Sequence, residues 1–203
     1  TFLRNRQIFL HLNREEWRSF EPVQKRPTIA TVPMEEASHL NFAVVTTSEI
    51  NGNHGAGILL QRIFPDSSRI FHLRSFNFYG ENDFGGIDRE IAPSEDLAET
   101  YHEVSSQISG MPLEGVFCVP FATHDLTLAL AVSQIARCPL GIFIMDDQNL
   151  CGKIDDEVMG LALRHASVRF GISQEMIDGY ERKFGEKFSF LPPVVPSHSI
   201  RST

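Results

Sequence analysis

Between an apolar run, Phe42 to Thr47, and a helix-patterned run, Ile58 to Phe64, lies the turn Asn51-Gly52-Asn53-His54-Gly55-Ala56-Gly57. Glycines that end a strand and open a helix leave backbone N–H groups facing outward, and their missing β-carbons let a phosphate or sugar come close. The spacing Gly52-x-x-Gly55-x-Gly57 is not the dinucleotide fingerprint G-x-G-x-x-G, and no Gly-Lys-Ser/Thr of a P-loop follows. The letters alone suit a ligand-approaching loop and a plain strand-to-helix turn equally.

Two further polar groups follow apolar runs. Val116 to Phe121 leads into Ala122-Thr123-His124-Asp125, where a histidine just ahead of a helix can act as a hydrogen-bond partner or base. A helix start disfavours its charged form. The plainer alternative is that Thr123 or Asp125 caps the helix and His124 is incidental. Leu140 to Met145 leads into Asp146-Asp147-Gln148-Asn149, which could bind sugar hydroxyls, hold a divalent ion or begin a solvated loop. With no other carboxylate or histidine at a ligand spacing nearby, the metal is the weakest of the three. A Ser-His-Asp hydrolase is set aside because no G-x-S-x-G occurs. The aromatic stretch Phe71 to Tyr79 reads as core strand residues such as Phe71 and Leu73, followed by a polar, mobile loop from Asn77 to Gly86.

These groups need elements to position them. From Asn41 the pattern predicts strands at Phe42–Thr47, Arg69–Phe76, Val116–Phe121, Leu140–Met145, Ser167–Gly171 and Phe188–Val195. Helices are predicted between them at Ile58–Phe64, Glu95–Ser109, Leu126–Ala136, Asp155–His165 and Ser173–Phe184. Ser94 reads as an N-cap ahead of Glu95 and Asp96, Gly110 as the residue after that helix, and Ser173 with Gly185 as brackets of another. Strands that are continuous apolar runs, alternating with helices, imply a parallel sheet covered on both faces: a Rossmann-like, three-layer α/β/α domain. In such a sheet ligands bind outside the carboxyl ends of the strands, where the strand order reverses. The glycine turn, His124 and Asp146 are thus expected at one edge.

Composition bounds the partners. The 203 residues carry a formal charge of -8, which argues against nucleic acid or an anionic membrane surface. Cys118, Cys138 and Cys151 form no C-x-x-C pair and suit a reducing, cytoplasmic setting. No apolar stretch approaches the roughly 20 residues of a membrane span. Residues 1–40, with a possible short helix over Ile8 to Phe20 and then Pro22, Pro27 and Pro33, read as an appendage or linker. The missing initiator Met and the unclosed end at Thr203 suggest a fragment.

In their order, these segments resemble the N-terminal half of a GT-B glycosyltransferase, in the group of retaining enzymes that use nucleotide-sugar donors. The glycine turn running into Ile58-Leu59-Leu60 resembles that family's first loop. Val116 to Asp125 resembles the segment that puts a histidine near the donor sugar. Ala166 to Met176, then Tyr180-x-x-x-Phe184-Gly185 and Phe190-Leu191-Pro192-Pro193-Val194-Val195, resembles the family's exit from its first domain. The resemblance covers Asn41 to Pro196, with 197–203 beginning an interdomain linker or tail.

The resemblance implies a hexosyltransferase-like enzyme that transfers a sugar from a nucleotide-sugar donor to an acceptor hydroxyl, with retention. It gives His124 a catalytic place by the donor sugar. It sets Gly52, Asn53, His54, Gly55, Ala56 and Gly57 against the donor phosphate, and Asp146, Asp147 and Asn149 against the acceptor. The nucleotide-sugar is a substrate, so no cofactor is implied, and no metal is needed if basic side chains of a C-terminal domain neutralise the diphosphate. That domain, which would also carry an E-x7-E element, is missing here, so the fragment is expected to be inactive alone. Glu95 and Glu103 stand at the same spacing by chance, in an acidic helix. Pro192-Pro193-Val194 departs from the family's frequent Pro-Asn-Gly, and Asp146-Asp147 replaces a histidine-containing segment. Two rivals are a noncatalytic sugar-binding module and an NAD-binding dehydrogenase or epimerase domain. The latter needs an acidic residue about 20 positions past the loop, where Arg74-Ser75-Phe76 stands instead.

Overall fold

A computed structural model describes residues 40–53, 55–75, 82–94, 96–147, 149 and 154–193. The expected N-terminal appendage with its helix over Ile8 to Phe20, together with His54, Glu95, Gln148, Cys151 and the chain from Val194 onward, lies outside the described residues.

Among the described residues seven strands and five helices follow one another: β1 Phe42–Val45, α1 Gly55–Ile63, β2 Ile70–Arg74, β3 Ile87–Glu90, α2 Leu97–Ile108, β4 Gly115–Cys118 and α3 Thr123–Ala136 come first. They continue as β5 Leu140–Ile144, α4 Asp156–His165, β6 Val168–Gly171, α5 Gln174–Phe184 and β7 Ser189–Phe190. The strands form one parallel sheet in the order β3-β2-β1-β4-β5-β6-β7. This is the expected Rossmann-like α/β architecture. The central strands β2 and β5 are buried along their whole length, because helices cover both sheet faces. On one face Ala43, Val45, Phe71 and Leu73 meet α2, α3 and α4; on the other Val44, Ile70 and Phe143 meet Leu59 and Leu60 of α1. Helix α3 is buried over every residue from Asp125 to Ser133, which explains an apolar composition with no clear stripe.

The strand order reverses between β1 and β4, the point at which sheets of this kind bind ligands outside the strands' carboxyl ends. Several details differ from expectation, and one bears on the predicted loop: α1 begins at Gly55, three residues before the expected Ile58, so Gly55, Ala56 and Gly57 are helical. Strand β3 appears after the expected polar loop, although its sequence Ile-Asp-Arg-Glu has only one apolar residue. As an edge strand it is held by charge: Arg74 Nη2 donates to Asp88 Oδ2 at 2.8 Å, and His72 Nδ1 lies 2.9 Å from Asp88 Oδ1. Helix α2 is capped by Asp96, not Ser94; the Asp96 carboxylate accepts from the Ala98 N–H at 2.9 Å. Helix α3 begins three residues before the expected Leu126, since Asp125 turns inward to bind the chain that precedes it. The brackets of α5 are as expected: Ser173 accepts from the Met176 N–H, and Gly185 takes the left-handed conformation at φ 75°.

Candidate site at the β1–β4 crevice

The chain leaves β1 at Thr46 and stays buried through Asn51, an unusually polar stretch for an interior. Several of its polar groups are engaged. The Thr46 carbonyl oxygen lies 3.1 Å from Nε2 of the fully buried His72, and the Ile50 N–H donates to Asn82 Oδ1 at 2.7 Å. Asn51 Oδ1 accepts from the Asn53 N–H at 3.0 Å, which bends the chain toward α1. The three glycines of the turn then differ. A β-carbon on Gly57 would lie 2.5 Å from the Asn51 carbonyl oxygen and 2.6 Å from that of Glu49, so only glycine lets α1 seat against the loop. A β-carbon on Gly52 or Gly55 would meet nothing within 4 Å.

At the end of β4, Ala122 is the N-cap of α3, so His124 and Asp125 are its second and third residues. The fully buried Asp125 turns its Oδ2 back to accept from the Phe121 N–H at 2.9 Å, the Ala122 N–H at 3.1 Å and the Thr47 hydroxyl at 2.7 Å. Burial pushes its carboxyl up from the ordinary range, and these donors offset only part of that. The His124 side chain is half-buried, and its Nε2 is shielded from solvent with no hydrogen-bond partner. Burial holds its pKa below the ordinary value, against the opposing pull of Ile91. The lowered pKa favours the neutral imidazole, in which one ring nitrogen donates and the other accepts.

At the end of β5, Asp146 is exposed and accepts through Oδ1 from the Asp147 N–H at 2.8 Å. Asn149 is only 2% exposed. Its Nδ2 donates to the Ile154 carbonyl at 3.0 Å and to Asp156 Oδ1 at 2.8 Å, and its Oδ1 accepts from Lys183 Nζ at 2.9 Å. The Asp155 N–H donates to Thr123 Oγ1 at 3.0 Å, which ties the start of α4 to the start of α3.

Because all the strands are parallel, the glycine turn after β1, His124 after β4 and Asp146-Asp147 after β5 share the carboxyl edge. Asn149 shares that edge but faces inward. Sequence reading did not single out Thr47, His72, Arg74 or Asp88. Asp125 carried a signal, since an acidic residue at the third helical position is one half of a capping box; the pairing of His72 with Asp88 carried none. Among the described residues no group of three or more His, Cys, Asp and Glu could hold a metal ion, and no helix is long and apolar enough to cross a membrane.

No family model and no curated protein matches the chain. Solved structures do. One is the Anabaena protein HepE in complex with UDP and glucose, at 13% identity and a TM-score of 0.51. The likeness is one of fold. It covers 76% of this chain and 45% of that one, so the chain spans less than half the length of its structural neighbour. At the level of fold this agrees with the GT-B half expected from the sequence.

Proposed function

We propose that the chain is the acceptor-side lobe of a nucleotide-sugar glycosyltransferase. One observation carries the reading: a histidine with an unpartnered Nε2 stands at the crevice where the strand order reverses, in a fold shared with a protein solved with UDP and glucose. In this reading His124 Nε2 accepts a hydrogen bond from a hydroxyl of the transferred sugar. The turn from Gly52 through Asn53, His54, Gly55 and Ala56 to Gly57 lies against the donor phosphates, with the open space at Gly52 and Gly55 leaving room for close approach. Asp146 and Asp147 contact the acceptor hydroxyls, and Asn149 holds their loop from beneath. The diphosphate is gripped by a second lobe, which supplies closure and water exclusion. Arg74 and Ser75 at the end of β2 offer no carboxylate for a dinucleotide ribose, which weighs against the NAD-binding alternative.

The test is His124→Ala in the full-length protein, assayed with UDP-sugars as donors. Turnover is expected to fall roughly 10–100-fold, the worth of one well-placed hydrogen bond in the transition state, with kcat and kcat/KM falling together. The melting temperature should fall only modestly, because His124 is half-buried and lies outside the two apolar core clusters. Wild-type turnover in the variant would remove His124 from the mechanism.

A further inference from the structure

Most helix caps in this protein are made at accessible or partly accessible positions: Asp96, Asp155 and Ser173 accept from N–H groups of the first turn that follows them. Asp125 is different in place and in reach. It is fully buried, it sits inside α3, and its Oδ2 collects donors from two separate loops: Phe121 and Ala122 after β4, and Thr47 after β1. No Lys, Arg or His among the described residues pairs with it. A carboxylate buried without a cation is costly, and here three donors offset that cost: two N–H groups from the chain ahead of α3 and, from across the strand-order reversal, the Thr47 hydroxyl.

The other neighbour of His124 is also anchored, since Thr123 Oγ1 accepts from the Asp155 N–H. His124 therefore stands between two ties, one to the loop leaving β1 and one to the start of α4. We infer that Asp125 is a positioning residue: through Thr47 it locks the first turn of α3 to the β1 loop, and so fixes where the half-buried His124 imidazole sits. The inference rests on the function proposed above, because it assigns Asp125 a role through His124.

The test replaces the donor and leaves the charge in place. Thr47→Val removes the hydroxyl at nearly constant volume, and Thr47→Ser retains it. The readout is the titration of the His124 imidazole, followed by NMR on ring-labelled protein. In the wild type its midpoint should lie below the ordinary histidine value of about 6.5. In Thr47→Val it should move up toward that value as the helix start loosens and water reaches the ring, while Thr47→Ser keeps the wild-type midpoint. Should the valine methyl prevent folding, Thr47→Ala removes the same hydroxyl and should show the same rise. A folded Thr47→Val or Thr47→Ala protein with the wild-type midpoint overturns the inference, since a general loss of stability leaves the midpoint of the folded state unmoved. The two readings fail separately. A shifted titration with His124→Ala still at full turnover keeps the positioning role and sinks the functional one; lost turnover with an unmoved titration does the reverse.

Discussion

Two corners of the carboxyl edge looked alike as sequence, and the structure uses them differently. Around Asn149 each end of a buried amide is taken up by the protein itself: Ile154 and Asp156 accept from Nδ2, and Lys183 donates to Oδ1. That corner is a latch, fastening the loop after β5 to α4 and α5. Around His124 the polar groups are equally shielded, but Nε2 is left without a partner. A buried ring nitrogen without a partner is a group a ligand atom could satisfy, whereas an amide matched at both ends holds the fold. Polarity at a strand end identifies neither. The distinction lies in whether the donors and acceptors are already matched.

The sharpest way to break this comparison starts with the glycine turn. Gly57→Ala would drive a β-carbon into backbone that cannot yield, so a loss of at least about 1–3 kcal/mol is expected in urea unfolding. Gly55→Ala, made toward open space, should stay within about 0.5 kcal/mol of the wild type. If Gly55 has a part in the proposed site, its substitution should weaken nucleotide-sugar binding while leaving the unfolding midpoint in place. Equal destabilisation by both changes would make the turn purely structural.

Next in size is the latch. Asn149→Ala strips a donor from the buried Ile154 carbonyl and a partner from Lys183, and should cost about 1–3 kcal/mol. The His124 titration, measured on the same protein, should not move. A shift there would mean that the two corners are one coupled unit, and the contrast drawn between them would fall.

Much of this was legible in the residues, for identifiable reasons. Continuous apolar runs such as Gly141-Ile142-Phe143-Ile144 can only be strands buried on both faces, and that pattern sets the sheet and hence the edge at which sites gather. Ser173 and Gly185 bracket α5 because capping is local chemistry. Strand β3 was not legible, since an edge strand pinned by Asp88 to His72 and Arg74 draws on side chains 14 and 16 positions away and shows no apolar period of its own. The inward turn of Asn149 was hidden for the same reason: its partner Lys183 lies on α5, 34 residues on. Types and spacings located the polar strand ends, but which groups were already satisfied depends on contacts distant in sequence.

The smallest expected effect separates the corners by the sign of their pH dependence. Burial raises the folded-state pKa of Asp125, so the stability linked to its proton is present below the unfolded value of 3.8 and lost as pH rises through the folded value. Asp125→Asn keeps an acceptor oxygen for Phe121, Ala122 and Thr47 but buries no charge. Relative to the wild type it should therefore gain stability as pH climbs from about 3 toward neutrality, then level off. Asp156 is the opposite case: the hydrogen bond from Lys183, then that from Asn149, hold its pKa below 3.8. Its contribution is present above the unfolded value and lost as pH falls through the folded one, so Asp156→Asn should trail the wild type at neutral pH and approach it in acid. Asp156 is exposed and solvent screens its ion pair, so this second slope should be the shallower and should flatten further in salt. Urea unfolding of both variants across that pH range checks the pair. Slopes of the same sign would mean that the Asp125 carboxylate is solvated well enough to behave as a surface group, and the tie between the β1 and β4 loops would lose its physical basis.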